Sequence, residues 1–342
     1  MKRKTQLSFT MSKVVFLLAV LLLSVSLVFV SCDLEPKEGD GTSDSSVPED
    51  SGSGGDDESP DDPGDLVVPD EPGVVIPVEP GDSGDEEGDE EVIADENLFD
   101  VQEGILKLKP SVVLPDSFTL PSQISGQSYT KLNDSIFSGI ENIKSVTIPS
   151  GVLELGKYAF SGCTNLETVV IPDTVTTIGQ KCFLGCDALK EISASGVTSV
   201  GTQAFDGCTE LESASLPSVG SLPSKAFYEC EALETTVLTN VTTIGDDVFR
   251  DCTSLTTIDL PKMTVFAGSP NRAFKGCSGL EYVYLGTAVD GDAACSMPMN
   301  SETFYGCTNL KHIYVPSEKL ESYSGRSEWS PYYDKIASVP TV

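Results

Sequence analysis

Seven cysteines stand at one recurring place: Cys163, Cys186, Cys208, Cys230, Cys252, Cys277 and Cys307 each follow a phenylalanine by three residues. Thiols in a row suggest a disulfide framework or a metal centre before anything else. Zinc would need paired C-x-x-C motifs or histidine partners, and His312 is the single histidine of the 342 residues. No Ser-His-Asp, Cys-His or two-histidine set can be assembled without it. A pair of acids could serve glycoside hydrolysis, yet nothing singles out one pair among 53 acids. The expectation is a protein that is not an enzyme, with no catalytic, cofactor-binding or metal residues. The thiols then read as packing, because free cysteine behaves as a small hydrophobe. Stacked coils would bring neighbouring Cα atoms within bridging range, so disulfides along the column stay open. Cys182 fills the slot held elsewhere by Ala159, Ala204 and Ala226 and reads as core, whereas Cys295 stands outside the column.

The element that positions these residues is a repeat. Phe137, Phe160, Phe183, Phe205, Phe227, Phe249, Phe274 and Phe304 anchor about eight copies, most of them 22 or 23 residues apart. A period of that size marks a solenoid, whose units bury their apolar faces only by stacking. Within a copy, Leu166, Val169 and Ile171 (or Leu255, Ile258 and Leu260) place two apolar residues on one face of a short strand. Pro149, Pro172, Pro217, Pro261 and Pro316 follow, where proline ends a strand. Gly156, Gly179, Gly201 and Gly245 recur in the return arm and suggest a tight turn at positive φ. Adjacent strands should pair in parallel, ~4.8 Å apart.

These residues carry a resemblance. The I-G-x-x-A-F and G-C-x-x-L elements, repeated over roughly half the chain, are similar to BspA-like leucine-rich repeats, and the tail from His312 to Ile336 resembles the terminal cap of such proteins. The resemblance implies a right-handed leucine-rich-repeat solenoid of parallel β-strands, with short turns or 3-10 segments on the convex side. It also implies adhesion to host matrix proteins or to other bacteria. Composition and spacing by themselves imply only a binding scaffold, or a structural or antigenic envelope protein with no specific ligand. The chain departs from the pattern at Ile140, where cysteine is expected, at Val237-Leu238-Thr239, which lacks the proline, and in the stretch 286–302, which lengthens the last interval.

The start of the chain reads as targeting rather than fold. Lys2, Arg3 and Lys4 precede an apolar run from Val14 to Val30, which is shorter than the ~20 residues a spanning helix needs. Ser31-Cys32 follows directly, and the whole resembles a bacterial lipoprotein signal with Cys32 as the lipid-attachment residue. Residues 32–96 are then mostly Asp, Glu, Gly, Ser and Pro with few large apolar residues, and they hold much of the net charge of −32. Such a composition buries too little apolar surface to fold and predicts an extended, disordered spacer. Acidic clusters such as Asp85-Glu86-Glu87 lack the fixed spacing of an EF-hand loop. The expected layout is a signal peptide over 1–31, linker 32–96, N-terminal cap 97–136, solenoid 137–316 and C-terminal cap 317–342. It places a monomer in the bacterial cell envelope, anchored by lipid in the outer membrane or at the cell surface. No basic patch argues for nucleic acid.

Partner binding is expected on the strand residues that alternate with the buried ones. They form two columns, one running Ser145, Thr168, Glu191, Ser213, Thr235, Thr257, Tyr282, His312 and the other Thr147, Val170, Ser193, Ser215, Val237, Asp259, Tyr284, Tyr314. Most of this face is small and bland. Its end concentrates Tyr282, Tyr284, His312 and Tyr314, and tyrosine is enriched at interfaces. These four are the candidate site for a protein or glycan ligand on a host or neighbouring cell. Two alternatives are that tyrosine merely suits cross-strand pairing, or that the cap with Trp329, Tyr332 and Tyr333 folds over them. The 286–302 insertion, with Asp290 and Asp292, reads as a variable loop.

Overall fold

Strands two to four residues long recur at the repeat period and pair side by side in parallel. The computed structural model describes residues 92–288, 294–298 and 302–340. The unit Met1–Glu71 lies wholly outside them, and everything below concerns the unit Pro72–Val342. The leader, Cys32, most of the acidic segment, Asp290 and Asp292 are likewise outside the described residues.

The chain winds through about ten coils with almost no helix. One wall is built from Ser117–Thr119, Ser145–Thr147 and Thr168–Val170, then Glu191–Ser193, Ser213–Ser215 and Thr235–Val237, and finally Thr257–Leu260, Tyr282–Leu285, His312–Val315 and Ile336–Ser338. The return arms build a second wall, from Lys131–Leu132 through Glu154–Leu155, Thr177–Ile178 and Ser199–Val200 to Val265–Phe266. Between the walls lies a single apolar core with one residue of each kind per coil. Phe160, Phe183, Phe205, Phe227, Phe249, Phe274 and Phe304 stack face to face, with ring centroids 5.0–5.4 Å apart and tilts of 10° or less. That spacing is close to the strand separation, so one ring per coil fills the axis without gaps.

The thiols complete this packing. Each column cysteine donates from Sγ to the carbonyl oxygen of the phenylalanine one coil earlier. Cys163, Cys186, Cys208, Cys230 and Cys252 do so at 3.1 Å, Cys277 at 2.8 Å and Cys307 at 3.0 Å. The cysteines of the described residues are free thiols. A small side chain with a weak donor adds a second hydrogen bond to a carbonyl that already accepts from a backbone amide, as Phe160 does from Cys163 at 3.1 Å, which alanine could not do.

The recurrent glycines of the return arm act differently from the sequence expectation. Gly156, Gly179, Gly201 and Gly245 are not at positive φ; a Cβ on each would lie 2.3–2.8 Å from backbone atoms of the preceding coil. They allow coils to approach, not the chain to turn. Positive φ belongs to the residue before each column cysteine, a glycine in Gly162 (73°), Gly185 (65°) and Gly207 (71°) but Glu229 (56°) and Asp251 (62°) before Cys230 and Cys252. It also belongs to a non-glycine residue two before six of the eight phenylalanines: Ser135, Tyr158, Lys181, Gln203, Lys225 and Asp247. These left-handed residues interrupt any helical run, so the convex side is made of turns. Among the described residues, 3-10 segments occur only near the ends, at Glu96–Leu98, Ser317–Lys319 and Ser327–Tyr332.

The ends are closed unequally. At the N-terminal end, the hairpin of Phe99–Gln102 with Ile105–Leu108 turns through Glu103 and Gly104, both at positive φ, and a second hairpin joins Gln123–Ile124 to Gln127–Ser128. Residues 92–96, which composition places in the linker, belong to this ordered body. Ile93 bridges to Thr119, the amide of Ala94 donates to the Thr119 carbonyl at 2.9 Å, and Ala94 is buried. Backbone pairing with Thr119 on both sides and the burial of Ala94 hold this stretch, while the Val92 and Ile93 side chains stay exposed. At the C-terminal end, the helix Leu320–Ser324 carries Tyr323 into the core, and Trp329 packs edge-on against Tyr323 and Phe266.

The insertion also departs from a simple loop. Ser296 bridges to Val265, so residues 294–298 serve as the return arm of their coil, and Ala294, Cys295 and Met297 are buried. Cys295 donates to the Met263 carbonyl, its amide donates to the Tyr323 hydroxyl at 3.0 Å, and its carbonyl accepts from Trp329 Nε1 at 3.0 Å. The cysteine outside the column thus fastens the cap to the solenoid.

Candidate functional site

The four aromatic candidates arise from two adjacent strands in register. Tyr282 pairs with His312, Val283 with Ile313 and Tyr284 with Tyr314. Val283, Leu285, Ile313 and Val315 point into the core and are fully buried. The alternation of a strand therefore sends Tyr282, Tyr284, His312 and Tyr314 to the opposite, solvent-facing side, where His312 is exposed and the tyrosines are half-buried. The structure brings all four together. Ring centroids are 4.9 Å apart for Tyr284 and Tyr314, 6.1 Å for Tyr282 and Tyr314, 6.4 Å for Tyr282 and His312 and 5.4 Å for His312 and Tyr314.

Stacking along the solenoid axis has a chemical consequence. Tilts of 14–27° turn the faces of Tyr282 and Tyr314, Tyr284 and Tyr314, and Tyr282 and His312 toward each other, while His312 is tilted 37° to Tyr314. The patch offers aromatic contact together with hydrogen-bonding groups, on rings that pack against one another. Holding them costs little at binding, since the entropy is lost on folding. Burial, then the facing Tyr314 and Asp259, raise the Tyr284 phenol above its ordinary value. Asp259, next in register, is itself raised by the packing around it. Beside the patch, Lys311 Nζ sits 2.7 Å from Glu281 Oε2 and 5.4 Å from the Tyr282 ring centre. The Glu281 carboxylate holds that ammonium above its usual range.

The cap does not cover these rings. Trp329 is fully buried and Tyr332 meets Phe304 edge-on at 5.2 Å, while Ile336–Ser338 extends the wall with Ala337 beside Tyr314. The remaining columns fall in the expected registers, Glu191 with Ser213, Ser213 with Thr235 and Thr257 with Tyr282.

The columns just described are those of a known repeat family. The chain matches the family model for the BspA type leucine rich repeat region in six copies, over residues 116–234 and 220–327. It belongs to the BspA-type leucine-rich repeat proteins. Among solved structures it is similar to a leucine-rich repeat protein of T. pallidum, at 21% identity, covering 66% of this chain and 91% of that one, with a TM-score of 0.43. A leucine rich cell surface protein of Faecalibacterium prausnitzii A2-165 is 19% identical over 71% of this chain and 96% of its own, TM-score 0.34. A leucine-rich repeat protein of Bacteroides ovatus is 23% identical over 67% and 76%, TM-score 0.31. No curated protein matches the chain.

This BspA-type chain also carries a convex ridge that the strand pattern did not reveal. Lys181 lies over the Tyr158 ring, Lys225 and Arg250 over Tyr228, and Lys275 over Tyr305, at 4.8–5.5 Å from the ring centres. Asp247, 1% exposed, is bridged by Arg250 at 3.4 Å and Arg272 at 2.8 Å. The signal was available in the residues one after and two before each phenylalanine, which form columns of their own. Arg250, Arg272 and Lys275 are paired with neighbouring acids, so that part of the ridge reads as a pinned surface.

Burial makes the column thiols poor nucleophiles. It pushes Cys163 up to about 12 and raises Cys182, Cys186, Cys208, Cys230, Cys252 and Cys277 well above ordinary thiols. Thiolate is the reactive form. Native protein treated with Ellman's reagent should therefore modify Cys307, the half-exposed one, ahead of the rest of the column. The others should react only as denaturant unfolds the stack. Rapid native labelling of several column cysteines would contradict this packing.

Proposed function

We propose that the chain is an envelope-anchored adhesin whose C-terminal aromatic face grips a protein or glycan on a host or neighbouring cell. Lipid on Cys32 holds it to the membrane, since two or three acyl chains anchor far more firmly than one. The acidic segment after it sets the solenoid away from the bilayer. The observation that carries the reading is the concentration of Tyr282, Tyr284, His312 and Tyr314 at one end of a wall that is otherwise mostly serine, threonine and valine. Rigid clustered tyrosines suit a binding hot spot, and a wall of small residues gives a partner room to lie along it.

The test is the triple substitution Tyr282→Ser, Tyr284→Ser, Tyr314→Ser, assayed by adhesion of expressing cells to immobilised matrix proteins and to other bacterial cells. The outward rings contribute little to the core, so the melting curve should change only slightly. Binding should fall at least tenfold, the equivalent of about 1.4 kcal/mol. Adhesion equal to wild type would remove the aromatic face from the account.

A further inference from the structure

The two ends of the solenoid differ in what they leave open. At the N-terminal end, two hairpins cover the core. At the C-terminal end, the strand Ile336–Ser338 pairs with His312–Val315 on one side only. The Ile313 amide donates to the Lys335 carbonyl at 2.9 Å and the Val339 amide to the Val315 carbonyl at 3.0 Å. The alternation of a parallel ladder then directs the backbone groups of Ile336 and Ser338 outward, and neither has a backbone partner among the described residues. Beside this edge runs an open groove lined by Leu320, Glu321, Ser324, Tyr333 and Ile336. Ile336 is in register with Ile313, so the groove is where the inward residues of one more coil would sit. A bare edge with an adjoining apolar slot is the arrangement that accepts an added strand.

The chain carries a segment of matching chemistry. Val74-Val75-Ile76-Pro77 is identical in sequence to Val169-Val170-Ile171-Pro172, the strand and proline corner of an internal coil. There Val169 and Ile171 are buried and Val170 is exposed. We propose that Val74–Ile76 of a second copy adds to the free edge of Ile336–Ser338, with Val74 beside Ile336, Val75 beside Ala337 and Ile76 beside Ser338. Val74 and Ile76 enter the groove, and Pro77 ends the strand as Pro172 does.

Chain length favours a second copy over the same one. Fourteen residues, 78–91, separate Pro77 from the ordered body; at about 3.3–3.6 Å each they reach at most ~50 Å. The ten strands of the wall, at ~4.8 Å spacing, already take ~43 Å before the path rounds the end. An intramolecular strand would need a fully stretched chain, and a neighbouring copy needs none. The contact joins different surfaces of the two partners, so each copy offers one segment and one free edge and copies add head to tail.

Sedimentation velocity of the full chain, extracted in detergent, tests this across a range of concentrations. Wild type should form dimers and larger species as concentration rises. Val74→Asp with Ile76→Asp lies outside the solenoid and should leave its melting curve unchanged, while weakening association at least tenfold. Ser338→Pro removes one outward N–H and should act in the same direction, and a peptide spanning Pro72–Pro80 should disperse wild-type assemblies. A wild type that stays monomeric throughout would overturn the proposal. Association retained in the Val74/Ile76 variant would overturn it too; if Ser338→Pro alone abolished that association, two free edges would be pairing with each other. Adhesion by the tyrosine face is a separate property and is read separately.

Discussion

Phe205→Ala is expected to lower stability by about 3–5 kcal/mol, the usual cost of deleting a buried aromatic ring. Phe205 is fully buried and sits between Phe183 at 5.4 Å and Phe227 at 5.0 Å, both nearly parallel to it. The gap cannot close easily, because the ladder of Ser213–Ser215 with both neighbouring strands and the backbone bonds from the Phe183 amide to the Ala204 carbonyl (2.8 Å) and from the Phe205 amide to the Ala226 carbonyl (2.9 Å) hold the coils at their spacing. A solenoid is stabilised by contacts between neighbours alone, so a weak layer in mid-stack has a second effect. The halves on either side should begin to unfold separately, and the denaturant transition should broaden with a smaller m-value as well as a lower midpoint. Guanidinium unfolding followed by circular dichroism reads both. A single sharp transition shifted by less than about 1 kcal/mol would mean that the phenylalanine stack is not what holds the coils together.

Gly201→Ala should be nearly as costly, at about 3 kcal/mol or more, the upper end of overpacking penalties. Its added Cβ would lie 2.3 Å from the amide nitrogen and 2.5 Å from Cα of Gln180, which are backbone atoms that cannot swing away. Gly207→Ala provides the comparison. Gly207 has φ of 71°, but its Cβ would meet nothing closer than 3.8 Å, so it carries only the left-handed penalty of about 1–2 kcal/mol. Thermal or urea unfolding of the two variants should therefore rank Gly201→Ala as the less stable. The reverse order would restore the turn-based reading of the return-arm glycine and contradict the close approach of the coils.

That pair of glycines also shows where sequence reasoning succeeded and stopped. The recurrence at positions 156, 179, 201 and 245 was visible, but a glycine's letter does not say whether φ or crowding demands it. The outward columns were legible to the residue, because a strand's period of two inside a repeat of 22 or 23 leaves no choice of face. Tyr282, Tyr284, His312 and Tyr314 could be grouped for that reason. The stacking that turns their faces together could not be read, since it depends on rotamers. Cys295 was obscure because its interval is 30 residues long and no column predicts its partners, Met263, Tyr323 and Trp329. Ile93 and Ala94 were assigned to the spacer because composition averages over a window and misses three apolar residues at its edge.

The reading of adhesion depends on the solenoid facing the outside of the cell, and protease shaving of intact expressing cells tests this most directly. Blotting for the repeat domain should show it lost from the cells and recovered in the medium, with a periplasmic marker untouched. Full protection of the domain until the cells are lysed would contradict the account, and would leave a scaffold facing inward with no access to another cell.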